Sequence, residues 1–227
     1  MMLKISKFAL ALLAALSLGT NARATTIYDN SVNDLLTRFN PGLLEVGDQI
    51  VLAGTERFLT NFSFEYYATN TANPSALAGA NVEARVRFYL NDGVLFNGYA
   101  TPGTMFYDSG LFSVGLPTDR STFVFTAGSD FAFGGLYIPA NEITWSVQFS
   151  GLGGTDEVGV DIYSPPVVGA NYPDYWENNA GWSLKTNTVP MNFAAQFQAT
   201  VPEPSALTLL AVAGLGFLCT GWRLRKH

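Results

Sequence analysis

Period-two alternation of apolar and polar residues is the feature that most limits what this chain of 227 residues can fold into. In residues 82–90 every even position is apolar, whereas Glu83, Arg85 and Arg87 occupy odd positions. A β-strand places successive side chains on opposite faces, so this segment would have one buried and one solvated face. One-sided strands of this kind are typical of antiparallel sheets that pack face to face. Similar alternation occurs in residues 58–66, 143–149, 158–162 and 191–197.

Turn-forming residues separate the alternating segments, because they accept positive φ or preset a bend. They are Asn91-Asp92-Gly93, Asn97-Gly98, Pro102-Gly103 and the glycine-rich residues 151–154. Further strands are predicted at residues 49–53, 104–112, 121–126 and 182–186. Together these segments predict an all-β fold, namely an antiparallel β-sandwich or jelly-roll-like ectodomain of about nine strands.

Between residues 25 and 200 the only helical pattern lies in residues 31–39. Ser31 is suited to capping a helix, Asp34 could complete a capping box, and Pro41-Gly42 would end the helix. We therefore expect one or two helical turns at this position, ahead of the first alternating strand.

Residues 1–24 have the three parts of a secretory signal peptide. Lys4 and Lys7 form a basic start, residues 8–18 are apolar, and Ala22-Arg23-Ala24 is a cleavage site of the A-x-A type. We expect signal peptidase to remove this segment, so that the exported chain begins at Thr25 and residues 25–200 form the ectodomain.

Residues 201–227 have a different three-part pattern. Pro202, Glu203 and Pro204 come first, the uncharged apolar residues 206–222 follow, and a basic tail ends the chain. As a helix the apolar run would be roughly 25 Å long, close to the thickness of a bilayer core. Basic residues next to a membrane-spanning helix stay on the cytoplasmic side. The pattern predicts a single transmembrane helix in the precursor, with the ectodomain outside. The basic residues of the tail at 223–227 are Arg223, Arg225 and Lys226.

This layout resembles the PEP-CTERM sorting signal of Gram-negative bacteria, with the motif at residues 202–204, the transmembrane helix at 206–222 and the basic tail at 223–227. The resemblance implies an inner-membrane exosortase as a partner, which would cleave near the motif and release the protein to the cell surface or the extracellular space. The membrane would then hold only a transient single-pass intermediate. The resemblance also implies association with exopolysaccharide or biofilm material. A plain single-pass anchor is the alternative.

Residues 25–200 are acidic, and they contain neither cysteine nor histidine, the side chains on which many catalytic sites depend. They contain 17 Asp and Glu against 6 Lys and Arg, which gives a net charge of 6 − 17 = −11. Such a charge repels nucleic acid and anionic lipid surfaces. The single Cys219 and the single His227 lie in the C-terminal signal, which excludes disulfides, histidine-dependent triads and zinc sites from the ectodomain. We therefore expect a non-enzymatic protein without a cofactor.

Paired carboxylates are the remaining route to catalysis, as in glycoside hydrolases. On sandwich strands such residues mostly form the solvated face, so a hydrolase is the lesser alternative. Three of them, Asp156, Glu157 and Asp161, also leave a Ca²⁺ site open, although their spacing lacks the pattern of an EF-hand loop. The candidates by residue type are Glu65, Glu83, Asp108, Glu142, Asp156, Glu157 and Asp161.

The segment 165–182 combines aromatic rings with amides and carboxylates. Aromatic rings stack on the apolar faces of sugars while polar groups bond the hydroxyls, so this segment suits a carbohydrate-binding module. That hypothesis requires Trp176 and Trp182 to be partly exposed. The alternative is that the segment covers one end of the sandwich and its rings fill the core. The candidate ligand residues are Tyr172, Asp174, Tyr175, Trp176, Asn178 and Trp182.

We predict that the exported protein begins near Thr25 and ends near residues 202–205, because both terminal segments have the composition of sorting signals. Intact-mass measurement on protein recovered from the native cell surface determines both ends. Recovery of chains that still carry residues 223–227 would instead identify the tail as a membrane anchor.

Overall fold

A computed structural model describes residues 23–201 of the chain. The predicted signal peptide up to residue 22, the predicted sorting motif, the transmembrane helix and the basic tail lie outside the described residues. Ala24–Thr200 form one compact unit. Every element of this unit is a strand, and the described residues include no helix that could cross a membrane.

All pairings between the 17 strands are antiparallel. The all-β antiparallel prediction is therefore confirmed for the described residues. The strands are β1 (Thr25–Asp29), β2 (Asp34–Phe39), β3 (Glu45–Val51), β4 (Phe58–Asn70), β5 (Glu83–Leu90), β6 (Leu95–Phe96), β7 (Tyr99–Ala100), β8 (Met105–Asp108), β9 (Phe112–Ser113), β10 (Thr118–Thr126), β11 (Leu136–Tyr137), β12 (Glu142–Ser150), β13 (Asp156–Tyr163), β14 (Ala170–Asn171), β15 (Tyr175–Asn178), β16 (Trp182–Lys185) and β17 (Ala195–Thr200).

The first sheet is organised around β4, its longest strand. The order is β1-β17-β4-β13-β2, and β10 and β11 also pair with β4. Phe62 of β4 is opposite Phe197 of β17 in one ladder and opposite Phe125 of β10 in the other. Both edges of β4 are therefore hydrogen-bonded, which makes it the central strand of the sheet.

The second sheet has the order β16-β15-β3-β12-β5-β8, with β14 added to β3 and β9 added to β5. Strand β12 is its centre, since it pairs with β3 on one side and with β5 on the other. Strands β6 and β7 form a separate two-stranded hairpin.

The two sheets pack face to face through the apolar residues that the alternation predicted to be buried. Phe88 and Trp145 of the second sheet are fully buried. Their ring centroids lie 5.1 Å and 5.4 Å from that of Phe62 in the first sheet. Each fully buried side chain of this size contributes roughly 1.5–3 kcal/mol to folding. The domain is thus sandwich-like, with an aromatic core between the sheets.

The prediction of a helix in residues 31–39 is wrong. Residues Asp34–Phe39 form β2, which pairs with β13 at the edge of the first sheet. The Asp34 side chain accepts a hydrogen bond from the Leu36 N–H at 2.7 Å, a local turn contact that replaces helix capping. Phe39 packs against the core cluster. Sheet pairing and burial of this ring outweigh the weak local helix signal.

Asp48 of β3 is an acidic residue inside the core. Its side chain is fully buried, and Oδ2 accepts a hydrogen bond from the Phe193 N–H at 2.9 Å. Burial raises the pKa of Asp48 well above its usual value, because the charged form loses its hydration.

We predict that Asp48→Asn raises the free energy of unfolding at neutral pH by about 1 kcal/mol or more. Since the folded-state pKa of Asp48 exceeds the unfolded value of about 3.9, wild-type stability should fall as pH rises through the interval between them. Asparagine keeps an acceptor for the Phe193 N–H and has no charge to desolvate.

Denaturant unfolding across a pH series measures this difference. The matched control is Asp119→Asn, at a side chain that is 92% exposed, which should keep the wild-type pH profile. A profile for Asp48→Asn that declines like the wild type would contradict the prediction.

Candidate ligand-binding groove

A groove of about 660 Å³ opens on the outer face of the second sheet. Gln49 of β3 and Glu142 of β12 line it, and the residues next to them in sequence, Ile50 and Ile143, point into the core. Residues 98–100 of the β6–β7 hairpin form one part of its wall, and residues 172–174 form another. Two short segments from separate parts of the chain therefore border the groove.

A tight turn forms the tip of the hairpin wall. Asn97 and Gly98 both have positive φ, 51° and 90°, as required in a two-residue hairpin of the type I′ class. Thr101 closes the base, since its hydroxyl donates to the Val94 carbonyl at 2.8 Å. The hairpin places Tyr99 in the groove with 54% of its surface exposed.

Tyr172 belongs to the part of the wall formed by residues 172–174 and is 39% exposed. It follows β14, which is held against β3 by the pairing of Asn171 with Ile50. Partial burial and the nearby Glu142 carboxylate raise the pKa of Tyr172, with a smaller contribution from Tyr99. Tyr99 and Tyr172 thus both line the groove, each from a different segment of the chain.

A chain of hydrogen bonds holds the polar floor. The indole N–H of the fully buried Trp176 donates to Gln49 Oε1 at 2.9 Å. Gln49 Nε2 then donates to Glu142 Oε1. Trp176 is opposite Gly47 in the ladder between β15 and β3, next to the strand position of Gln49 on the same face. The amide and the carboxylate are consequently presented to the groove in a fixed orientation.

The structure divides the residues predicted in segment 165–182. Tyr172 and Asp174 line the groove. Tyr175 packs edge-on against Phe39 at 4.9 Å, on the core side of the sheet. Trp176 is fully buried, whereas the sugar-binding hypothesis required it to be partly exposed. That requirement is not met. The Trp176 ring supports the groove from beneath and is not available for stacking on a ligand.

The last two predicted residues, Asn178 and Trp182, lie beyond the groove. The segment is not an irregular loop, because β15 and β16 form a hairpin that extends the second sheet. Asn178 donates to Glu45 Oε2 at 3.3 Å. Trp182 is half-buried, and its ring stands edge-on to Tyr89 at 5.5 Å.

Among the carboxylates considered for catalysis, Glu142 is the one that lines the groove. Asp108 forms a two-point ion pair with Arg85, and that interaction lowers the pKa of Asp108 to about 2. Asp156 accepts hydrogen bonds from the backbone N–H groups of Ala78 and Gly79 at 2.6 Å and 2.8 Å. These two carboxylates are thus used in structural contacts.

The three residues considered for Ca²⁺ are not brought together. Asp156 is bonded to backbone N–H groups at one end of β13, whereas the buried Asp161 lies between Arg38 and Arg120 at 3.5 Å and 3.6 Å. Glu157 is exposed and is the neighbour of Asp156 on the opposite strand face. Within residues 23–201 no group of three acidic, histidine or cysteine side chains has the arrangement of a metal site.

Sequence reasoning missed Tyr99 and Gln49 as groove residues. The Asn97-Gly98 turn was a usable signal for the hairpin, and it places an aromatic residue directly after the turn. No local pattern, however, indicates which sheet face the hairpin covers. Gln49 was assigned to a strand, but its role depends on Trp176, 127 residues away.

The fold and the groove define an antiparallel all-β domain with a candidate binding surface on one outer face. Residues 200–226 match the family model of the PEP-CTERM protein-sorting motif, which confirms the resemblance seen in residues 201–227. The motif implies an exported protein that is processed by an exosortase through a membrane-anchored sorting intermediate. No curated protein and no solved structure matches the chain.

We predict that Trp176→Ala lowers the free energy of unfolding by about 3–5 kcal/mol, because truncation of a buried ring leaves a cavity. In a domain of this size the melting temperature should fall by on the order of 10 °C. Tyr172→Ala on the exposed rim is the matched control and should change it by little. Differential scanning calorimetry measures both, and an unchanged melting temperature for Trp176→Ala would show that the indole is not packed.

Proposed function

We propose that this protein is a non-enzymatic component of the cell surface or extracellular matrix that binds polysaccharide in the groove beside the β6–β7 hairpin. The observation that carries the proposal is the pair of exposed tyrosines, Tyr99 and Tyr172, above a floor of fixed polar groups.

The chemistry of the lining suits a sugar. A sugar ring has apolar C–H faces, which the rings of Tyr99 and Tyr172 are placed to cover, and hydroxyl groups around its edge. Gln49, Glu142 and Asp174 offer amide and carboxylate atoms to these hydroxyls. Within the described residues Asp174 makes no hydrogen bond or ion pair, so its oxygens are available to a ligand.

The size of the groove and the sorting motif both agree with binding of an extracellular polysaccharide. The groove volume of about 660 Å³ is within the usual range of small-ligand sites, and its open shape admits one stretch of a longer chain. The motif implies export, and the resemblance to PEP-CTERM proteins implies association with exopolysaccharide. On this proposal the signal peptide at residues 1–24 directs export and the exosortase delivers the domain to the surface.

A glycoside hydrolase is the second candidate, because Glu142 and Asp174 line the same groove. Hydrolysis by two carboxylates requires one acid and one base on either side of the scissile bond. Glu142 already accepts a hydrogen bond from Gln49, which favours a positioning role in binding.

We predict that Tyr99→Ala and Tyr172→Ala each weaken polysaccharide binding about tenfold, equivalent to about 1.4 kcal/mol. The melting temperature should change little, since both rings are exposed. Tyr137→Ala is the control, because Tyr137 is 55% exposed but belongs to the first sheet.

Affinity electrophoresis of the exported protein in gels that contain neutral, basic or acidic polysaccharides measures the binding. Release of new reducing ends in the same mixtures tests for hydrolysis and would support the second candidate. Absence of retardation in every gel, or equal losses in the Tyr137 control, would contradict the proposed binding site.

A further inference from the structure

The groove carries uncompensated negative charge. Three carboxylates line it, Asp92, Glu142 and Asp174, and neither lysine nor arginine is among its lining residues. Asp92 is held in place by Thr104, whose N–H and hydroxyl donate to its two oxygens at 2.6 Å and 2.7 Å. Glu142 uses Oε1 to accept the Gln49 amide. Asp92 and Glu142 are therefore positioned by neutral donors and not by cations.

The cations of the ectodomain are bound elsewhere. Residues 25–200 contain six lysines and arginines, of which five lie within 4 Å of a carboxylate. The sixth, Arg57, is hydrogen-bonded to Asn141 and to backbone carbonyls. None of their ion pairs includes a groove carboxylate. The pairs are Arg38 with Asp119 and Asp161, Arg85 with Asp108, Arg87 with Glu45 and Asp108, Arg120 with Asp34, Glu65 and Asp161, and Lys185 with Glu177.

An acidic cluster on the first sheet differs from the groove because it contains a cation. Asp34, Glu65 and Asp161 surround Arg120, whose guanidinium lies 2.7 Å from Asp34 and 3.6 Å from each of the other two. That cluster already contains its cation. The groove has the same number of carboxylates, and among the described residues no basic side chain occupies the space between them.

We infer that the groove selects glycans that carry protonated amino groups, such as polymers with unacetylated hexosamine units, over neutral and acidic glycans. This inference rests on the proposed polysaccharide-binding function and specifies the charge of the ligand. An ammonium group on the sugar would supply a donor to Asp174 and a positive charge to both Asp174 and Glu142.

Two physical effects favour such a ligand. Coulombic attraction between an ammonium and a carboxylate is stronger in a partly desolvated groove than in bulk water. Tyr99 and Tyr172 add ring faces that attract a cation, while a neutral sugar gains only the stacking contact. A uronic acid would place like charges together and lose affinity.

The test compares pentamers of glucosamine and N-acetylglucosamine, which have the same length and linkage but differ in charge. Titration calorimetry on the exported protein at low salt should show at least tenfold tighter binding of the glucosamine pentamer. Added NaCl should reduce this advantage, because exposed charges are screened. A pentamer of uronic acid should bind more weakly than either.

Two conservative variants locate the effect. Glu142→Gln and Asp174→Asn should each reduce the preference at least threefold, measured as the ratio of the dissociation constants of the acetylated and the glucosamine pentamers. Asp119→Asn, a remote and exposed position, removes the same charge and should leave the preference unchanged. The melting temperature of each variant verifies that it is folded.

The outcomes separate this inference from the proposed function. Equal binding of the two pentamers, or tighter binding of the uronic acid, overturns the charge preference but leaves a polysaccharide site in place. A preference that Asp119→Asn reduces as much as Asp174→Asn overturns the groove as its origin. Failure of all three pentamers and of every polysaccharide gel overturns both.

Discussion

The packing of Phe62 against five aromatic rings is the contact on which the rest of the domain depends. Its neighbours come from both sheets, with Phe197 nearest at 4.7 Å between centroids. Residues 25–200 have no cysteine, so this interface has no covalent support. Because Phe62 lies on the central strand β4, it joins the middle of one sheet to the middle of the other. The sheets are thereby held face to face, and their remaining faces point outward.

The same alternation that forms the core also forms the groove. On β12, Ile143 and Trp145 point into the interior, while Glu142 lies on the outer face and helps to line the groove. Burial of the inward residues therefore determines the position of the outward residues without any further interaction. The β6–β7 hairpin and residues 172–174, which come from two separate parts of the chain, border the groove on this outer face.

The local sequence is sufficient to predict which side chains are buried in the core, but it is insufficient to predict which residues form the groove. Alternation identifies which side chains share a face, so the core positions of β5, β12 and β13 could be predicted residue by residue. It says nothing about which distant segment covers that face. Trp176 illustrates the limit, since its sequence context of polar neighbours is typical of an exposed loop. Pairing of β15 with β3 and the hydrogen bond to Gln49 instead accompany complete burial of the indole. The helix prediction for residues 31–39 is wrong for the same reason, because the pairing of β2 with β13 is a non-local interaction.

The pairing of nearly every basic side chain with a carboxylate of the same domain affects how neighbouring copies of the domain interact. Residues 25–200 have a net charge of −11, and five of their six cations are already paired with carboxylates of the same domain, so electrostatic attraction between two copies is weak. Within a Debye length of about 8 Å at physiological ionic strength, neighbouring domains repel. Copies on a surface would therefore stay dispersed, and any cohesion between them would have to come from a third component that bridges their acidic faces, such as a shared polymer or mobile counter-ions.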